Sequence, residues 1–138
     1  WLKPGRAEGV LIGGCLESLE HLRGPRFWPD WEGALMFVET SEEAPPPARV
    51  DSILMDYENM GVFDKISGLM VGRPMRYTEE QRQDLHRVLL ERTRKYSFPI
   101  LADMDFGHTA PQLTLPIGCK ARIDSGEKSF EILEPAVS

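Results

Sequence analysis

A histidine and a glutamate in this chain stand where loops leave apolar runs, and together those residue types can move a proton. His108 lies in "ADMDFGHTAP" (Ala102–Pro111), just after "FPIL" and between a glycine and a threonine. Gly107 frees the backbone ahead of it, and neither helical nor strand spacing explains an imidazole there. Glu39 closes the apolar run "ALMFVE" (Ala34–Glu39). A carboxylate within reach of an imidazole holds its tautomer and stabilises the imidazolium formed when the ring takes a proton. His21 and His86 fall inside helical patterns beside charged neighbours and read as surface histidines.

A base needs a nucleophile, and the serines offer none. No serine lies in a G-x-S-x-G elbow or another strand–glycine–Ser–helix turn. Ser67 opens a strand, Ser52 lies on a helix, and Ser125 and Ser129 flank a hairpin. Cys15 is the internal candidate, because a thiol near a helix N-terminus can have a lowered pKa. The competing reading is a small cysteine packed beside glycines. Asp103, Asp105 and His108 invite a metal reading, but Asp-x-Asp-x-x-His lacks the regular two-His spacing of zinc motifs. "GVLIGG" (9–14) is not a dinucleotide fingerprint, since the full G-x-G-x-x-G is missing. The residues by themselves offer two-thirds of a triad.

The elements that must position these groups follow from periodicity. "GVLIGG" leads into "CLESLEHL", where Leu16, Leu19 and Leu22 share a helical stripe that Gly24 and Pro25 end. "FWPDWEG" is an aromatic loop. "ALMFVE", "KISGLMVG" and "FPILAD" are near-continuous apolar runs, the mark of strands buried on both faces. "APPP" (44–47) starts a helix carrying Val50, Ile53, Leu54 and Tyr57, with Asn59 and Gly61 suited to its end. Thr78 is the predicted N-cap of a further helix, with Glu79, Glu80 and Asp84 early and Arg92, Arg94 and Lys95 late, which complements the helix dipole. "QLTLP", "GCKARID" and "KSFEIL" alternate between turns and read as antiparallel strands. The predicted class is α/β: one domain with a central parallel sheet, helices on one side and added antiparallel strands. Glu39 and His108 then share the edge beyond the carboxyl ends of the strands, where ligands bind in open parallel sheets.

Composition narrows the partners. The 138 residues are 41% hydrophobic, enough for a core without metal or disulfide staples. A net charge of −6 argues against nucleic acid or an anionic membrane as the main partner. No apolar run approaches the roughly 18 residues of a membrane span. Cys15 and Cys119 read by default as free thiols of a reducing cytoplasm, with a single bridge between them left open. The opening "WLKPGRAEG" resembles neither a signal peptide nor a start, so the chain is expected to be part of something longer.

"GVLIGGCLESLEHLRGPRFWPDWEGALMFVET", "NMGVFDKISGLMVGRP" and "FPILADMDFGHTAPQLTLPIG", in that order, resemble the LD-carboxypeptidase family of serine peptidases, which also contains the microcin C immunity peptidases. The likeness runs from about Gly9 to Asp124. It implies a two-domain enzyme in which an N-terminal domain, absent here, carries the serine and oxyanion hole. The C-terminal domain, which this chain resembles over residues 1–138 with 1–8 as linker remnant, supplies the rest of a Ser–Glu–His triad. The family glutamate falls on Glu39 and the family histidine on His108. The implied fold is a swivelling β/β/α domain, and the implied mechanism is covalent hydrolysis with no cofactor or metal. Implied substrates are a murein tetrapeptide losing D-alanine in peptidoglycan recycling or, in the immunity branch, an aminoacyl or peptidyl nucleotide amide. The missing nucleophile domain would be the natural partner, a homodimer of the cut domain is allowed, and the fragment alone is expected to be inactive. Many members have asparagine where this chain has Cys15. Trp28 and Trp31 can serve substrate contact or loop packing. A non-catalytic binding or interface domain, and a self-contained cysteine hydrolase using Cys15, stand as alternatives.

Overall fold

The computed structural model describes residues 1–24 and 26–137. Strands form at Arg6–Cys15 (β1), Leu35–Glu39 (β2), Gly68–Gly72 (β3), Ile100–Met104 (β4), Lys120–Asp124 (β5) and Ser129–Ile132 (β6). Helices form at Leu16–Leu19 (α1), extended by a 3₁₀ turn at Glu20–Leu22, at Pro47–Asn59 (α2) and at Glu79–Arg92 (α3). Of the stop expected after Leu22, Gly24 follows the 3₁₀ turn, and Pro25 lies outside the described residues.

The sheet order is β4-β3-β2-β1-β5-β6. The first four strands run parallel, and β5 and β6 join antiparallel. β1 is the pivot. Its residues Leu11–Cys15 pair with β2, whereas Arg6–Val10 pair with β5. The stretch 1–8, expected as linker, is therefore partly built into the sheet; the amide of Leu2 and the carbonyl of Lys3 also bond to Ile100. "QLTLP" is not a strand, correcting the sequence reading. Pro111 and Pro116 remove amide donors at both ends, Leu113 and Ile117 are exposed, and Leu115 packs inward.

Side-chain alternation along the parallel strands divides the core in two. Met36, Val38, Leu69, Val71 and Ile100 face α2 and α3, meeting Ile53, Leu54, Tyr57, Leu85 and Leu89. Leu35, Phe37 and Met70 face the other way, onto Ala7, Leu11, Phe106, Ala121 and Ile123. The sheet thus curls so that the β5 side covers the face the helices leave open. This is the α/β arrangement expected, with helices on one side. Trp31 is buried, and Trp28 packs on both Trp31 and Tyr57 with centroids 5.6 and 5.4 Å away. Such pairs are each worth about 0.5–1.5 kcal/mol beyond area burial, so this loop is held to α2 by packing.

Pro47 opens α2, where its missing N–H has no intrahelical use, and Gly61, at φ +73°, turns the chain out beyond it. α3 begins on a capping box: Gln81 N donates to Thr78 Oγ1 at 3.2 Å, and Thr78 N donates to Gln81 Oε1 at 2.9 Å. Thr78→Ala should therefore lower stability by about 1 kcal/mol, read as an earlier urea midpoint with unchanged slope; an unchanged midpoint would show that the cap contributes nothing. Arg92 ends α3 and ties it to α2, meeting Asp51 at 2.7 Å and Glu58 at 3.3 Å.

Candidate active site

β2 carries Glu39 to the carboxyl end of the sheet, next to Cys15 of β1 in register. By alternation Glu39 continues the Leu35–Phe37 series and faces the second core. The segment after β4 returns across this edge. Phe106 anchors it, buried with its ring edge-on to Phe37 at 5.8 Å. Gly107 then passes so close to Glu39 that an added Cβ would lie 2.6 Å from Oε2, and its φ is +98°. Any side chain at 107 would be strained and would push into the carboxylate. Gly72, at the end of β3, is crowded by the Phe106 carbonyl and Glu39 Cβ in the same way. Two glycines let the backbone reach Glu39.

The next residue turns its ring onto that carboxylate. His108 Nδ1 lies 2.7 Å from Glu39 Oε2, with the glutamate side chain 9% exposed and the histidine 37%. The sequence placed both residues on one edge, and the structure brings them into direct hydrogen bonding. With Nδ1–H donating to Glu39, the nitrogen of a neutral ring left to accept a proton is Nε2. The Glu39 hydrogen bond, opposed by partial burial and reinforced by the charges of Glu39, Glu42 and Glu17, holds the His108 pKa above its ordinary value. Sequence reasoning missed Glu42, whose Oε2 stands 3.1 Å from Nε2; nothing in "TSEEA" sets it apart from a solvated acid. It also missed Glu17, which accepts from Ser41 Oγ at 2.6 Å and so braces the loop after β2.

Cys15 is not built as a nucleophile. Burial pushes its thiol pKa up, the amide of Ser18 opposes this, and the charges of Glu17 and Glu39 add to the rise. Its sulfur sits 3.4 Å from Glu17 Oε2. A thiol held protonated is a poor attacker. Asp103 and Asp105 also turn away from His108: Asp103 meets His86 Nε2 at 3.0 Å and Asp105 meets Arg73 at 2.8 Å. His86 is accordingly half-buried against Asp103 rather than a free surface histidine.

Residues 8–123 match the family model described as LD-carboxypeptidase C-terminal domain. The chain belongs to that family. It is 31% identical to a probable murein peptide carboxypeptidase of Bacillus subtilis, covering 99% of this chain and 43% of that protein. It is equally 31% identical to the microcin C7 self-immunity protein MccF of Escherichia coli, covering 97% and 39%. The LD-carboxypeptidase-like fold matches an MccF-like protein from Streptococcus pneumoniae in complex with AMP, with TM-score 0.82 and 31% identity over 96% of this chain and 43% of that one. It also matches a muramoyltetrapeptide carboxypeptidase from Oxalobacter formigenes, with TM-score 0.76 and 29% identity over 91% and 45%. The chain spans about two fifths of the length of these curated relatives. Among the described residues no helix is long and apolar enough to cross a membrane.

Proposed function

We propose that this domain contributes Glu39 and His108 to a Ser–Glu–His triad whose serine lies on another domain of the same enzyme. The enzyme is read as a cytoplasmic serine carboxypeptidase that cleaves the L,D amide bond of murein tetrapeptides and releases D-alanine during peptidoglycan recycling. The observation that carries this is the 2.7 Å contact between a packed carboxylate and the Nδ1 of a histidine at the loop edge of the sheet. Such a pair fixes the tautomer that leaves Nε2 to accept a proton. Nε2 takes the proton as the serine oxygen bonds to the carbonyl carbon, then returns it to the leaving amine as the amide bond breaks. A water then attacks the acyl-enzyme with Nε2 as base again, freeing the serine. Glu39 orients the ring and stabilises the imidazolium at each stage.

A second reading rests on the likeness to MccF, one structure of which is a complex with glutamyl sulfamoyl guanosine at TM-score 0.81 and 30% identity. On it the same residues would cleave an aminoacyl or peptidyl nucleotide amide. Both substrates should be offered to an intact enzyme containing this domain and to the 138-residue chain alone. D-alanine release by the intact enzyme, with no hydrolysis by the chain alone, is the expected result. Cleavage of the nucleotide amide alone would establish the second reading. Hydrolysis of neither by a folded enzyme would leave a binding or interface domain.

A further inference from the structure

A neutral imidazole has one N–H, and in His108 that proton is committed to Glu39 through Nδ1. Yet Nε2 also stands 3.1 Å from a carboxylate oxygen, Oε2 of Glu42. That contact is attractive only when Nε2 carries a proton as well. The ring is thus held between two carboxylates in the form that cannot act as a base, and the second carboxylate occupies the position a nucleophile's hydroxyl would need. We propose that Glu42 is a positioning residue of the reaction, competing with the nucleophile for Nε2 of His108 and setting the pH at which that nitrogen becomes available. This rests on the peptidase reading of the same site.

The two carboxylates differ in freedom. The Glu39 side chain is 9% exposed, with the backbone of Gly72 and Gly107 close against it, whereas the Glu42 side chain is 59% exposed. The backbone beneath Glu42 is held on both sides. Arg76 Nη1 donates to the Glu42 carbonyl at 3.3 Å, and the Glu43 amide donates to Ser41 Oγ at 3.3 Å, itself a donor to Glu17. The side chain can therefore rotate away while its loop stays in place, which a displaceable competitor requires. The charges facing His108 are Glu39 from β2, Glu42 from the following loop and Glu17 from the start of α1. The nearby cations are engaged elsewhere: Arg73 with Asp105 and the Ala110 carbonyl, Arg76 with the Glu42 carbonyl. All three facing charges favour the imidazolium. Removing Glu42 leaves Glu39 to orient the ring but takes away one of the charges that keep Nε2 protonated.

The test begins with the chain itself and needs no nucleophile. Imidazole ¹⁵N NMR should show that Glu42→Gln lowers the His108 titration midpoint by about one pH unit, that Glu42→Ala moves it the same way, and that Glu43→Gln leaves it in place. In the intact enzyme, the acid limb of the kcat/KM profile should follow. At a pH one unit below the wild-type midpoint Glu42→Gln should then be several-fold faster, with the two profiles converging at high pH. An unmoved midpoint overturns the proposal, as does a moved midpoint with an unmoved acid limb in an active enzyme. Failure of the peptidase reading shows differently, as full activity in His108→Ala with the Glu42→Gln midpoint still displaced, and that result overturns both.

Discussion

His108→Ala in an intact enzyme carrying this domain should lower kcat/KM by at least about 10⁴-fold, a loss of roughly 5.5 kcal/mol of transition-state stabilisation. The ring is the proton carrier at every stage of the proposed cycle, so its removal acts on attack, on departure of the amine and on deacylation together. Stability should change little, because the side chain is 37% exposed and sits on the open edge of the sheet. Steady-state kinetics with a matched thermal melt separates the two effects. Adding Glu39→Ala to the first substitution should cost almost nothing more, since members of one catalytic unit are far from additive. A His108→Ala enzyme that works at near wild-type rate would remove the triad from consideration and return the pair to a structural role.

The second large effect lies away from the chemistry. Gly13 pairs in register with Phe37 where β1 runs beside β2. A Cβ built on it would lie 1.7 Å from the Phe37 carbonyl oxygen and 2.6 Å from the carbonyl carbon. Those are backbone atoms in the middle of a sheet, so no side-chain rotation relieves the overlap. Gly13→Ala should therefore cost more than about 4 kcal/mol, in the range reserved for severe packing errors, and the chain should fail to give a cooperative melt by circular dichroism. A variant melting within a few degrees of wild type would mean that β1 and β2 do not pack as closely as described. Two residues beyond Phe37 stands Glu39, so a strand displaced to admit a methyl group would also carry the carboxylate off its histidine.

How much of this was readable beforehand depended on where each element sits. β2 and β3 are buried along their whole length, and strands enclosed on both faces announce themselves as unbroken apolar runs. α2 was legible from Val50, Ile53, Leu54 and Tyr57, all of which are buried, and α3 from its Thr78 cap. The outer half of β1 was not legible, because Arg6 and Glu8 carry charges and pair only with a strand from the far end of the chain. "QLTLP" misled in the opposite direction: its alternation is genuine, but Leu113 is exposed and no strand among the described residues pairs with the segment. At the site, Glu39 and His108 stood out because their types were unexpected after apolar runs. Glu42 and Glu17 did not, since acids in a loop or a first helical turn are ordinary, and only the folded loop shows which one meets Nε2. His86 was misjudged for a related reason. Its partner Asp103 comes from β4, at φ +57°, and local spacing on a helix carries no trace of that contact.

The divided pairing of β1 has a bearing on how this molecule reaches its fold. β1, β2, β3 and β4 are consecutive parallel neighbours joined by local crossovers, so they can assemble in the order in which the chain emerges. The contacts of Ala7 and Gly9 with Ile123 and Ala121 join opposite ends of the chain and carry the largest loop-closure cost. Until they form, the outer half of β1 presents an unpaired edge, open to other strands, and one whole face of the sheet stays wet. The C-terminal hairpin is therefore expected to close last, over residues made first. Crowding, mutation or truncation that delays that closure would act on solubility long before it touched Glu39 or His108.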